Sequence, residues 1–327
     1  MKIVVAGGTG FIGGELVCRL AGARHEVVVL TRSAKPNAGS TQYIQWDGAS
    51  VGSWSSHLNG AHAVINLSGK SIAGTRWTKK GKEEILSSRL NPTRALVQAI
   101  AQTKNKPPLL VNMSGVGYYG NVERDEVTEA YPHGSDFLAS VCRQWEEEAR
   151  SAELLGLRVA MLRLGVVLEK GGALQNMMLP FKLFAGGSIG SGRQGFPWIH
   201  RDDVIGIIMF ALEHQTLSGP VNAAAPELVT MKQFTSVLGT AMHRPSWAPV
   251  PGFVLRIVLG EMSEMLLGGQ RVIPQKLLDV GYKFMYPKLE PAGSSFISEM
   301  MDFQARMGFK LSESAKLCSI SGDGQRP

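Results

Sequence analysis

The chain has 327 residues, 44% of them apolar, and a formal charge of +7. That length can bury roughly three-quarters of the extended chain's surface, enough for one large unit and a smaller lobe. Three scattered cysteines (Cys18, Cys142 and Cys318) and seven histidines without ligand spacing argue against a disulfide framework or a metal site, and fit a reducing compartment.

The first strand is expected at Lys2–Ala6, on the apolar run from Ile3 to Ala6. Gly7, Gly8, Gly10 and Gly13 then crowd into the turn that opens an amphipathic helix over residues 11–23. A strand, glycine-rich turn and helix in this order aim unpaired backbone N–H groups and a helix N-terminus at a dinucleotide diphosphate. Gly7 permits the tight turn, Gly10 lets backbone approach phosphate, and Gly13 lets the helix sit close to the sheet. Thr9, Phe11 and Ile12 stand between these glycines.

The second strand, residues 26–30, ends in Thr31-Arg32-Ser33. An NAD-binding unit usually places an acid here, about 20 residues past the glycines, to accept from the ribose 2′-OH. Arg32 cannot accept. It can make a charge-assisted fork to a 2′-phosphate, with the Ser33 hydroxyl as a further donor, so the pattern favours NADP(H). The alternative is a solvated loop arginine.

Further strands are expected at residues 43–46, Ala63–Asn66, 109–113 and 158–163, and helices at Lys79–Gln102 and residues 136–155. The last helix shows apolar residues at three-to-four spacing with acids on the other face. Lys79, Lys80 and Lys82 form a basic cluster without interleaved aromatics, which reads as a solvated helix face and not a nucleic-acid stripe. After Leu168 paired glycines and prolines thicken. The expected fold is therefore α/β, a doubly wound parallel Rossmann sheet over residues 1–168 with a smaller C-terminal α/β substrate lobe over 169–310. Residues 200–212 and 220–223 are expected to return to the nucleotide domain. The polar stretch 311–327 is expected to be disordered.

Apolar runs such as residues 204–212 are too short to span a bilayer. No leader is expected before the first strand, which favours the cytoplasm and leaves an organellar location after processing open. The expected partner is a small-molecule substrate, with neither nucleic acid nor membrane; a phosphate-bearing substrate stays open.

GGTGFIG (7–13), SGVGYYG (114–120) and WIHRDD (198–203) together resemble the extended short-chain dehydrogenase/reductase superfamily. RWTKKGKEEILSSR (76–89), WEEEA (145–149), GSGRQ (190–194) and GQRVIP (269–274) narrow the likeness to the epimerase family U1, an atypical branch of sugar-nucleotide-epimerase-like proteins. The resemblance runs from Met1 to about Leu289. It implies that the loop Gly7–Gly13 holds the diphosphate and Arg32 the adenosine 2′-phosphate. It further implies that Asn66, Leu67 and Ser68 line the nicotinamide side, that Ser114 is the active-site serine, and that Arg163, Gly165 and Val166 belong to a loop closing over the nicotinamide. His200 and Asp203 match a motif near the lobe interface; a helix N-cap by Asp202 or Asp203 is the other reading. A homodimer is the superfamily habit.

The helix at 136–155 departs from the superfamily. Where working members carry Tyr-x-x-x-Lys, this chain has Leu138 and Cys142, and Arg89 stands for the usual asparagine. Leucine has no proton to give, and a neutral thiol supplies no charge. The same replacements resemble the branch as a whole. Tyr119 and Tyr118, just after Ser114, are the substitute acids, with ring packing over the cofactor as the alternative role. Arg89 could replace the lysine charge or hold a phosphate or carboxylate. Cys142 is a candidate thiol or a small core residue. Glu123, Asp125 and Glu126 either contact substrate or form a solvated loop.

Two functions follow. One is an NADP(H)-dependent oxidoreductase or epimerase on a small hydroxyl, carbonyl or nucleotide-sugar substrate. The other is an NADP(H)-binding scaffold with little turnover, since relatives of the branch carry cell-division and plastid-division labels.

Overall fold

Strands buried on both faces need unbroken apolar runs, and Ile3–Val5, Val27–Val29 and Val64–Ile65 supply them at the centre of the sheet. The structure, a computed structural model, describes residues 1–169, 173–184 and 186–290. In chain order its first elements are β1 (Lys2–Ala6), α1 (Phe11–Gly22), β2 (Glu26–Thr31), β3 (Thr41–Gln45), β4 (Ala63–Asn66), α2 (Lys79–Gln102) and β5 (Leu109–Gly115). There follow β6 (Glu126–Val127), α3 (Phe137–Arg150), β7 (Arg158–Leu164), β8 (Val166–Leu168), α4 (Ala173–Lys182), β9 (Trp198–His200) and α5 (Arg201–Glu213). The remaining elements are β10 (Gly219–Ala223), α6 (Met231–Ala241), α7 (Gly252–Leu259), α8 (Glu264–Leu267), β11 (Arg271–Val272) and α9 (Gln275–Asp279).

Seven strands form one parallel sheet in the order β10-β7-β5-β4-β1-β2-β3. The side chains of α1 and α5 pack together on one face, and those of α2 on the other. From β1 the chain winds one way through β2 and β3, and from β4 the other way through β5, β7 and β10. Ala6 stands in register with Leu30 on one side and Asn66 on the other. The crevice beyond the carboxyl ends of β1 and β4 is therefore the topological switch point where open α/β sheets take their ligands.

Lys2–Ala6, Ala63–Asn66 and Lys79–Gln102 have the bounds the sequence indicated. The helix expected over 136–155 is shorter: Asp136 is its cap, accepting from the Ala139 N–H at 2.8 Å, and a separate 3-10 turn follows at Ser151–Leu155. Past Leu168 a second core forms around Leu168, Phe181, Trp198, Phe196 and Phe234, the last two stacked at 4.2 Å. Among the described residues no helix is long and apolar enough to cross a membrane. The tail expected at 311–327 lies outside the described residues.

The start of α5 corrects one expectation. Its cap is His200, whose Nδ1 accepts from the Asp202 N–H at 3.0 Å, and not Asp202 or Asp203. Asp203 is fully buried, so its carboxylate needs donors. It finds them in the N–H groups of Met285 (2.7 Å) and Tyr286 (2.9 Å), tying this late segment to α5.

Candidate functional site

The glycine loop is shaped by close backbone approach. Gly7 has φ +76°, and a Cβ there would lie 2.8 Å from the Leu67 carbonyl carbon across the crevice. A Cβ on Gly13 would lie 2.4 Å from the Gly7 carbonyl oxygen, so α1 sits against the loop as the sequence suggested. The first N–H groups of a helix have no intrahelical acceptor. In α1 the cap residue Gly10 offers no side-chain acceptor, and the first turn holds no acid. The N–H groups of Phe11 and Ile12 thus open a crevice edge suited to an anion.

Arg32 is exposed just past β2, and the turn is held by the Thr31 hydroxyl donating to the Ser33 carbonyl (3.2 Å) and by Gln45 Nε2 donating to the Arg32 carbonyl (3.1 Å). Arg32 makes no ion pair among the described residues. On the other side of the crevice the Asn66 side chain is turned into the protein. It is fully buried, donating to Thr93 Oγ1 (2.9 Å) and Asn112 Oδ1 (2.7 Å), while its Oδ1 accepts from the Ser68 N–H (3.1 Å). Asn66 fixes the turn; Leu67 and Ser68, both half-buried, face the crevice edge.

Ser114 and Arg163 are register partners on β5 and β7, and Arg163 is the partner of Asn222 on β10. Their side chains share one buried network. Arg163 donates from Nε and Nη2 to the two oxygens of Glu146 (2.7 and 2.8 Å), and from Nη1 to the Tyr119 hydroxyl oxygen (2.9 Å). Ser114 Oγ donates to Glu146 Oε1 at 2.7 Å. Tyr119 donates to Asn222 Oδ1 at 2.6 Å, and the Asn222 N–H donates to Glu129 Oε1 at 3.0 Å. Burial opposes charge on Arg163, but the Glu146 carboxylate outweighs it and holds the guanidinium above its ordinary value.

Three of the residues expected at the site lie in this network. Arg163 is 2% exposed and pairs inward, so it is not a loop residue closing over an open face; only the backbone of Gly165 and the start of β8 at Val166 stay near the strand ends. Tyr119 is buried with its hydroxyl engaged on both sides, and burial pushes its pKa up to about 12. A phenol so placed is a poor proton donor to substrate. Ser114 has spent its one proton on Glu146, leaving lone pairs but no donor.

Arg89 is buried under the loop after β4, its guanidinium donating to the Ile85 carbonyl (2.9 Å) and the Lys70 carbonyl (3.1 Å) with the Trp145 ring 5.2 Å away. Burial lowers its pKa, and no carboxylate pairs with it among the described residues. Cys142 is buried against Gly115 and Gly117 (3.7 and 4.0 Å from the Cβ each would carry), and burial pushes its thiol up to about 11. This burial is what the small-core-residue reading requires. Tyr118 differs from all of these. It is half-buried, its ring lies 3.5 Å from the Arg163 guanidinium carbon, and its hydroxyl makes no hydrogen bond among the described residues. Of the acids in the loop after Gly120, Asp125 accepts from Tyr131 (3.1 Å) and Glu126 pairs with Arg271 (3.4 Å), both at the surface.

The model of the NAD dependent epimerase/dehydratase family matches residues 3–224, and a domain of unknown function (DUF1731) matches 250–293. The chain belongs to the NAD-dependent epimerase/dehydratase family. The epimerase family protein YfhF of Bacillus subtilis is 42% identical over 303 residues, 91% of this chain and 99% of its own length. The crystal structure of the human epimerase family protein SDR39U1 with NADPH matches with TM-score 0.81 at 37% identity, covering 91% of this chain and 99% of that one. A nucleoside-diphosphate sugar epimerase of Corynebacterium glutamicum matches with TM-score 0.72 at 29% identity, over 94% of this chain and 61% of that one.

A dinucleotide fits the residues present: the cradle at Gly7 and Gly13 tolerates no side chain, and the uncapped N-terminus of α1 faces it. Sequence reasoning missed Glu146, Glu129 and Asn222. The first had a signal: with Cys142, Trp145 and Ala149 it falls on the buried stripe of α3, where an acid requires a partner.

Proposed function

We propose that this family member is an NADP(H)-dependent oxidoreductase or epimerase acting on a small hydroxyl or carbonyl substrate, with Tyr118 as the proton-transfer residue. A nucleotide sugar is the substrate class by analogy with the Corynebacterium relative. The observation that carries the reading is the Tyr118 hydroxyl: Ser114 and Tyr119 are engaged within the protein, Cys142 is buried, and Tyr118 keeps a proton to exchange. Bound NADP(H) supplies or accepts the hydride. Residues 7–13 hold its diphosphate, Arg32 and Ser33 take the 2′-phosphate, and Leu67, Ser68, Gly165 and Val166 line the nicotinamide side. Arg163 fixes the Tyr118 ring from one face, and Glu146 fixes Arg163. Arg89 braces the loop Leu67–Lys70 through the Lys70 carbonyl, a positioning role.

The test is turnover of a panel of sugar nucleotides and simple carbonyl compounds with NADPH, on the wild type and the Tyr118→Phe, Tyr119→Phe and Cys142→Ala variants. Tyr118→Phe is expected to lower the rate by about a hundredfold or more with NADPH affinity unchanged. A larger loss from Tyr119→Phe or Cys142→Ala would move the proton chemistry there. The second reading, a cofactor-dependent scaffold, draws on Leu138 and Cys142 standing where a Tyr-x-x-x-Lys pair would be. It predicts NADPH-selective binding with no turnover on any of the panel.

A further inference from the structure

Arg201 opens α5 immediately after the cap His200. Its guanidinium carbon lies 5.4 Å from the centre of the Phe11 ring, at the first turn of α1. Nη2 reaches Glu169 at 3.4 Å, a long contact to a carboxylate that is itself buried. Nε is buried with no hydrogen-bond partner among the described residues. The neighbouring acid, Asp202, is drawn away to Arg19 at 2.6 Å. A helix N-terminus without acid or side-chain cap thus has a guanidinium beside its first side chain, and the carboxylate at that guanidinium is Glu169.

We propose that Arg201 is a diphosphate-binding residue of the dinucleotide site. The inference rests on the NADP(H) reading given above. A planar fork matches phosphate oxygens, and Glu169 orients it by holding Nη2 and leaving Nη1, which has no partner among the described residues, for the ligand. Arg201 differs in kind from Arg32. Arg32 stands past β2, at the adenosine end, and reads a group that NADPH alone carries. Arg201 stands at the α1 terminus and contacts a group common to NADPH, NADH and ADP-ribose. It contributes affinity without selectivity.

The experiment is titration of these three ligands into the wild-type chain and the Arg201→Ala, Arg201→Lys and Glu169→Gln variants, with Arg32→Ala as reference. Wild-type protein that binds none of the three fails the NADP(H) reading itself. Given wild-type binding, Arg201→Ala should weaken all three ligands by a common factor of about ten, and Arg201→Lys should recover part of the loss. Glu169→Gln should weaken them less. Unfolding curves without ligand separate lost binding from lost folding, and the lysine and glutamine variants carry the test if the alanine variant does not fold. Unchanged affinities, a loss confined to NADPH, or a loss that spares ADP-ribose would each overturn the proposal.

Discussion

Glu146 of α3 and Arg163 of β7 meet in a two-pronged ion pair, 2.7 and 2.8 Å, with side chains 3% and 2% exposed. Ser114, Tyr119 and the Glu129 carbonyl (3.3 Å) occupy further donor and acceptor positions around it. Halving a buried pair leaves an uncompensated charge, which costs about 3–5 kcal/mol, whereas replacing both partners by apolar groups is often nearly neutral. Glu146→Ala is therefore expected to lower the urea midpoint sharply, and Glu146→Leu with Arg163→Met to regain most of it. A loss below about 1 kcal/mol in the single variant would show that the pair is not a determinant of stability.

Cofactor preference should separate at Arg32. On the proposed reading its exposed guanidinium takes the 2′-phosphate, so Arg32→Ala is expected to weaken NADPH by about tenfold and spare NADH. Fluorescence titration with both nucleotides checks this, and equal loss for both refutes the assignment.

Two adjacent glycines give opposite outcomes. A Cβ at Gly13 would meet backbone, 2.4 Å from the Gly7 oxygen and 2.7 Å from Gly8 Cα, whereas one at Gly14 has nothing within 4 Å. Gly13→Ala is expected to cost about 1–3 kcal/mol and abolish nucleotide binding. Gly14→Ala should keep binding and add about 0.4–1 kcal/mol of stability. Thermal unfolding with and without NADPH reads both.

Alkaline stability follows from two buried protons. Cys142 moves from 9.0 to about 11 and Tyr119 from 10.0 to about 12, both chiefly through burial. The unfolded chain releases these protons first, so each contribution is complete below the unfolded pKa and lost as pH rises through the folded one. Stability should fall between about pH 9 and about pH 12. Tyr119→Phe should flatten the upper part of that fall and Cys142→Ala the lower, read from denaturation midpoints across the range.

Much of the sheet was legible because its strands are short, unbroken apolar runs with one orientation. Gly7 to Gly13 were legible because a close backbone approach needs glycine at fixed spacing. The polar interior was not. Its partners lie up to a hundred residues apart in the chain, as Tyr119 and Asn222 do, and only the register of β5, β7 and β10 brings them together. Tyr119 and Tyr118 are neighbours of equal chemistry in the sequence. The 3-10 turn after Gly115 sends the Tyr119 hydroxyl inward to Arg163 and Asn222 and leaves Tyr118 half-buried with its hydroxyl unbonded among the described residues. Arg163 carried a warning, as a lone cation inside the stretch Val159–Leu164, and Glu146 carried its counterpart on the buried stripe of α3.

The strand that completes the sheet arrives late. β10 pairs along β7 from Gly219 to Ala223, yet the chain between them passes through α4, β9 and α5. A nascent chain that has emerged only to residue 168 would present β7, with Val159 to Leu162, as an open apolar edge, a template for pairing with other chains. Fragments ending there should aggregate, and those extended past Ala223 should be far less prone to it. Synthesis of this protein therefore has a vulnerable interval of some fifty residues, during which an edge-binding chaperone would have its greatest effect.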